Sequence, residues 1–316
     1  MRHLTRDRSG LAGVLIAIVI IVIILVAAIA LFLVPFKSVK VNESHQVDIA
    51  PGARSLSMNV TIDTGSIDVR FVNDSSVAAS MTVVGTHRSG LLGPDQPVKV
   101  NWTAVNGSES MAIDLNVSVG RNIGWFSNND IRCTLNISSQ LKTALNVTSS
   151  LGTVNVTTAE GVTLAGVDLR ASAGAVRLNM TGGTVLDGPL RMDTSLGGVD
   201  LSWTDLNATG NASVDLRASA GGIRLTMLQG SELDSNLTVR SSASLGGIDI
   251  TLDLRGNTSA HVISHADLGG VRVSSRDGFN GSDGDMASQN YPGRSNLEVR
   301  SNASAGGINI RSNYTA

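Results

Sequence analysis

Two histidines, His261 and His265 in His-Val-Ile-Ser-His, stand four residues apart, the spacing at which a helix would turn both imidazoles onto one metal. The residues around them alternate as a strand does. In a strand, positions four apart lie about 13 Å from each other, too far for one ion to bridge. Further on, Asp277, Asn280, Asp283 and Asp285 place oxygen donors of the class calcium prefers in one segment rich in Gly, Ser and Asp. Their spacing matches neither the EF-hand loop nor the Gly-Gly-x-Gly-x-Asp nonapeptide. Trp102, Trp125 and Phe126 offer flat apolar faces that could stack on a sugar ring. No histidine falls in a nucleophile motif, and no glycine loop opens a helix toward a phosphate. The residues thus predict no catalytic, metal or cofactor site.

The asparagines carry a stronger chemical signal. Asn42, Asn59, Asn73, Asn101, Asn106, Asn116, Asn136, Asn146, Asn155, Asn179, Asn207, Asn211, Asn236, Asn257, Asn280, Asn302 and Asn313 each open an Asn-x-Ser/Thr acceptor site. Chance would place about a fifth of asparagines in such sites, given the Ser and Thr content. Here 17 of 23 are so placed, which predicts a glycan-bearing exterior domain.

The elements that position these residues are written in a recurring phrase, Ser-(Leu or Ala)-Gly-Gly, followed by aliphatic residues separated by one polar residue. Its first glycines are Gly152, Gly174, Gly197, Gly221, Gly246, Gly269 and Gly306, and the first five intervals are 22, 23, 24, 25 and 23 residues. Thr153 and Ala175 replace the second glycine in the first two copies. A second alternation precedes each phrase, as in Val167-Asp-Leu-Arg, Leu190-Arg-Met-Asp and Val214-Asp-Leu-Arg. Period-two alternation of β-branched and aliphatic residues predicts strands with one buried face, and a fixed period predicts stacking. The fold class expected is all-β, a β-solenoid of 22–25-residue repeats behind one N-terminal transmembrane helix.

Charges specify how such repeats meet. After the glycines the polar residue runs Asn155, Arg177, Asp200, Arg224, Asp249, Arg272, Asn309. In the preceding strand it runs Asp168, Arg191, Asp215 at one site and Arg170, Asp193, Arg217 two residues later. Alternation of sign from repeat to repeat suits parallel, in-register rungs about 4.8 Å apart, where like charges must not face each other. Each exposed pair contributes at most about 1 kcal/mol, so the ladders set register more than stability.

In chain order, residues 1–10 form a short basic tail expected in the cytoplasm. Residues 11–36 contain the uncharged run Leu11–Val34, long enough to cross about 30 Å of hydrocarbon and too long for a cleaved signal. A retained signal-anchor is expected, with lipid as its partner. Residues 37–145 read as a membrane-proximal β region, either the solenoid's cap or its first rungs, and include the abbreviated phrase Gly65-Ser-Ile-Asp-Val. Residues 146–316 are the repeat domain. Its last glycine interval, Gly269 to Gly306, is 37 residues, and the surplus is expected as a surface loop over 276–290. A formal net charge of −2 gives no reason to expect nucleic acid as a partner, and Cys133 alone excludes an intrachain disulfide framework.

The phrase Ser-x-Gly-Gly-Ile-x-Ile, alternating with strands such as Leu237-Thr-Val-Arg, resembles the putative-adhesin family of repetitive β proteins over Leu145–Ile310 and weakly over Ile62–Arg70. The resemblance implies a β-solenoid ectodomain and, by the family name, adhesion; it supplies no catalytic residues to carry over. Sequon density together with a retained anchor is similar to archaeal surface glycoproteins. Arg8-Ser-Gly before the apolar run also resembles an archaeal pilin-type processing site, without the acidic residue that usually follows. The function expected is a non-enzymatic, membrane-anchored cell-surface protein, structural or adhesin-like, with a surface glycan or a protein as its partner. An envelope sensor or accessory protein acting through a partner is the alternative, and a glycan-processing enzyme the third reading.

Overall fold

The computed structural model describes residues 18–26, 37–89, 98–119 and 129–315. Strands make up 73% of them, in one mixed sheet of 23 strands that closes almost completely around a single apolar core. The described part of the N-terminal apolar run, residues 18–26, is a helix with exposed aliphatic side chains. Residues 11–17 and 27–36 of the expected anchor lie outside the described residues, and no described helix is long and apolar enough to cross a membrane.

The body is a stack of rungs, each made of two strands that meet at a corner. One strand lies on what we call face A and the next on face B. Numbered in space, rung 1 is Ser110–Val119 with Asn129–Ser138, rung 2 is Ser55–Thr64 with Ser66–Val72, and rung 3 is Lys142–Leu151 with Val154–Thr157. Rungs 4 to 7 follow as Thr163–Ala173 with Val176–Met180, Pro189–Leu196 with Val199–Thr204, Ser213–Ala220 with Ile223–Gln229, and Leu237–Leu245 with Ile248–Arg255. Rungs 8 and 9 are single long strands, Ser295–Thr315 and Thr258–Asp277, that turn the corner without a break. All neighbouring rungs pair in parallel, as the charge pattern requires. A short third side, where Val185–Leu186 lies between Thr163–Leu164 and Asn207–Ala208, closes the middle of the stack.

Inward positions form continuous aliphatic columns, for instance Val154, Val176, Val199, Ile223, Ile248 and Ile308 on face B, all at most 2% exposed. Burying each such side chain is worth about 1.5–3 kcal/mol, several times what an exposed ion pair supplies. The core columns therefore hold the stack, and the polar columns index it.

Spatial order departs from the expected sequence of rungs at both ends. The segment Ser55–Val72 inserts between Ser110–Ser138 and Lys142–Thr157. At the far end, the last strand of the chain slides between rung 7 and Thr258–Asp277, so that the penultimate repeat becomes the terminal rung. Successive stacking is thus corrected to a swap of the final two repeats. The surplus at 276–290 is not a loop either. Phe279–Gly281 and Asp285–Ser288 form an antiparallel hairpin whose second strand also pairs with His261–Ile263. Phe279 and Met286 are buried, which explains the difference: they cover the open end of the core, work a solvated loop could not do. At the other end Val77–Ser89 and Val98–Asn106 pair antiparallel with rung 1, and Lys37–Asp48 pairs antiparallel with Val77–Ser89.

Candidate functional site: the corner between the two faces

At the corner, each rung from 2 to 9 places its first glycine in register with the next. The glycines Gly65, Gly152, Gly174, Gly197, Gly221, Gly246, Gly306 and Gly269 all have φ between +126° and +151°. A Cβ on Gly221 would stand 1.8 Å from the carbonyl oxygen of Gly197, and one on Gly174 would stand 1.9 Å from that of Gly152. Backbones therefore approach closely enough to turn a sharp edge only because no side chain intervenes. The residue just before each glycine is forced outward.

That outward column reads Thr64, Leu151, Ala173, Leu196, Ala220, Leu245, Ala305, Leu268 in rung order. Leucine and alanine alternate without exception from rung 3 to rung 9. In chain order the alternation fails, because Leu268 follows Leu245; the swap of the last two rungs interposes Ala305 and restores it. The four leucines are 54–68% exposed, among the most exposed large apolar side chains of the stack. They form a ridge with a repeat of two rungs, about 10 Å. Leu196 and Leu245 have an alanine on either side, Leu151 lies between Thr64 and Ala173, and Leu268 on the last rung adjoins Ala305.

Beside the ridge on face B lies a trough of about 410 Å³ floored by Ala175, Gly198, Gly222 and Gly247. Its far wall is Arg177, Asp200, Arg224 and Asp249, the middle of a charged column that runs Asp68, Asn155, Arg177, Asp200, Arg224, Asp249, Asn309, Arg272. Asn155 donates its Nδ2 to Asp68 Oδ1 at 3.0 Å, and Arg224 reaches Asp200 at 3.8 Å. On face A the other two ladders are in register as expected, Asp168–Arg191–Asp215 beside Arg170–Asp193–Arg217, making a checkerboard. Its shortest contacts run along strands, with Arg170–Asp168 at 2.5 Å and Arg217–Asp215 at 2.6 Å. Asp168 first, and Asp193 on the next rung, raise Arg170 above the usual guanidinium value. Asp215 first, and again Asp193, do the same for Arg217. The first ladder ends in Arg240 against Arg300, a like pair, and Arg300 turns instead to Glu298 at 2.6 Å. A second trough, of about 660 Å³, crosses face A over Ala112, Ser57, Ala144 and Gly166.

The sequon asparagines divide by side. None of them is buried. Across rungs 4 to 7 the two faces carry only Asn179, whereas Asn207, Asn211, Asn236 and Asn257 all fall on the connections behind the faces. Face A of rungs 1 to 3 bears Asn116, Asn59 and Asn146, and face B of rungs 1 and 3 bears Asn136 and Asn155. Asn179 lies on rung 4, Asn302 and Asn313 on rung 8, Asn280 in the hairpin, and Asn42, Asn73, Asn101 and Asn106 at the capped end. The corner over the middle of the stack is thus flanked, not crowded, by acceptor sites.

The other chemistry-bearing residues are not brought together. His261 Nε2 lies 2.6 Å from Asp285 and its ring leans on Tyr291, while His265 pairs with Asp267 at 2.9 Å. Asp277 accepts from Ser275, and Asp283 is held by Arg276, so the oxygen donors around the hairpin serve separate partners. Among the described residues no group of three or more His, Cys, Asp or Glu side chains is placed to hold a metal. Trp102 stacks on His45 at 6.0 Å; Trp125 and Phe126 lie outside the described residues. Cys133 is buried in rung 1, and burial pushes its thiol up to about 12. The ridge itself was missed by sequence reasoning, which treated Leu and Ala in the phrase as interchangeable.

No protein-family model matches the sequence, and no curated protein is similar to it. Among solved structures, the chain is similar to a putative cell adhesion protein from Clostridium sporogenes, at 13% identity over 86% of this chain and 100% of that one, with a TM-score of 0.39. It is also similar to a putative adhesin from Bacteroides fragilis, at 14% identity over 87% and 97% of the two chains and a TM-score of 0.40. A putative adhesin from Parabacteroides distasonis aligns at 10% identity over 85% and 97%, with a TM-score of 0.33.

Proposed function

We propose that this chain is a non-enzymatic cell-surface protein: a glycosylated extracellular β-solenoid held to the membrane by its N-terminal apolar run, with residues 1–10 in the cytoplasm. In this reading the connections of the stack carry glycans, and the leucine corner is the surface that makes contact. The observation that supports it is the placement of the acceptor sites. Over rungs 4 to 7, four of five lie behind the faces, while four of the five exposed leucines of the stack gather on the opposite corner. Glycans on the connections would block lateral sheet association there and leave one apolar line free.

Glycopeptide mass spectrometry of the native protein tests this. Occupancy is expected at Asn207, Asn211, Asn236 and Asn257 and absent at Asn155, whose amide is donated to Asp68. Glycans at Asn155 and Asn179 alongside empty connection sites would overturn the assignment of the corner as the contact surface.

A further inference from the structure

Two columns at the corner share a property that a generic adhesive surface does not need. Read backwards, each is the complement of itself. The charged column runs acid, amide, base, acid, base, acid, amide, base from rung 2 to rung 9: Asp68, Asn155, Arg177, Asp200, Arg224, Asp249, Asn309, Arg272. A second copy laid antiparallel, with its two-fold axis between rungs 5 and 6, sets rung 2 against rung 9, 3 against 8, 4 against 7 and 5 against 6. Asp68 then faces Arg272, Arg177 faces Asp249 and Asp200 faces Arg224, while the amides Asn155 and Asn309 face each other. The same alignment puts each ridge leucine against a small residue: Leu196 against Ala220, Leu245 against Ala173, Leu151 against Ala305 and Leu268 against Thr64. On face A, over rungs 4 to 7, it matches Asp168 with Arg240, Arg191 with Asp215 and Asp193 with Arg217, and sets Arg170 against Ser242.

No neighbouring antiparallel alignment does this. Moving the axis by half a rung spacing puts leucine on leucine and like charge on like charge. Moving it by a whole spacing sets Asp68 against Asp249, or Arg177 against Arg272. A parallel two-fold pair would bring every leucine to the level of its own copy. We infer that the leucine corner pairs antiparallel with the same corner of a second copy of this chain, its axis between Leu196 and Ala220, with the leucines interdigitating and the charged column fixing the register.

The physical roles divide as at other interfaces. Burial of the leucines supplies the attraction, and charge complementarity rejects wrong registers more than it adds affinity. Eight rungs at about 4.8 Å give a contact roughly 35 Å long, enough for an interface near the lower end of the standard size. Such an isologous contact closes on itself as a dimer and does not propagate into fibres.

This inference rests on the corner being the contact surface, and the test separates the two. The full chain, reconstituted in phosphatidylcholine vesicles, is made as Ala173→Cys, as Leu245→Cys and as the double variant. Within one chain these positions are three rungs, about 14 Å, apart, too far for a disulfide. Across the inferred axis they face each other. Under mild oxidation the double variant is expected to run as a disulfide-linked dimer and both single variants as monomers. Asp200→Arg is expected to weaken pairing about tenfold or more, and Asp200→Arg with Arg224→Asp to restore it. Unchanged melting of each variant establishes that the stack is intact. A monomeric double variant, or single variants that cross-link as readily, would overturn the self-pairing. If the glycopeptide result places the corner free of glycan while the chain stays monomeric, only the self-pairing falls.

Discussion

Asp187 shows what one side chain contributes on a surface where most ion pairs are solvated. It lies on the connection that leads into rung 5, accepts from Thr209 and is bound by Lys142 two rungs away. The Lys142 hydrogen bond, then that of Thr209, holds its carboxyl below the usual carboxylate value. A carboxyl depressed in the fold stabilises it above the unfolded value, about 3.9, and loses that contribution as pH falls through the folded value. Asp187→Asn should therefore lower the melting temperature at pH 7 and show a shallower loss between pH 5 and pH 2 than the native chain. Parallel melting curves for the two proteins across that range would remove Asp187 as the link between rungs 3 and 5. Cys133 illustrates the opposite extreme: buried at the edge of the core, its thiol behaves as a small apolar group.

At the scale of the element, the glycine at each corner is the part for which the stack has no substitute. Gly221 combines φ of +146° with a Cβ position 1.8 Å from the Gly197 carbonyl oxygen. Conformational strain alone costs about 1–3 kcal/mol for a residue with a side chain, and the clash adds to it. Gly221→Ala is expected to lower the melting temperature by roughly 5–10 °C, read by circular dichroism, with Gly210→Ala as a control because a Cβ there meets nothing within 4 Å. Equal, small effects of the two substitutions would mean the corner can open. These glycines, the strands beside them and the charge ladders were all legible in the sequence, because period-two burial and a glycine interval of 22–25 residues leave local marks. The rung order was not. Val271-Arg-Val273 and Ile308-Asn-Ile310 are interchangeable as rungs by pattern, and what decides between them is the hairpin of Phe279 and Met286, which must sit at the end of the core. The leucine ridge was hidden for the same reason: Leu245, Leu268 and Ala305 do not alternate along the chain, only along the stack.

For the whole molecule, the consequence of antiparallel pairing is where the two N-termini go. Lys37–Asp48 is the outermost strand at one end of the stack, beyond Val77–Ser89 and rung 1. About an axis between rungs 5 and 6, the same strand of the second copy lies some thirteen rung spacings away, about 60 Å along the stack. In the proposed membrane-anchored reading, two anchors attached through strands that far apart would fit two facing membranes better than one. The pair would then join surfaces rather than cluster on a single one, and the acceptor sites at the capped end and behind the faces would hold other approaches off. Phosphatidylcholine vesicles bearing the full chain are expected to aggregate, as followed by light scattering, and bare vesicles are not. Asp200→Arg should leave the vesicles dispersed, and adding Arg224→Asp should restore aggregation, since charge rescue is a result that nonspecific stickiness of exposed leucines cannot produce. Dimers that cross-link through Ala173→Cys and Leu245→Cys while the vesicles stay dispersed would place both copies on one membrane, with the stacks lying along its surface.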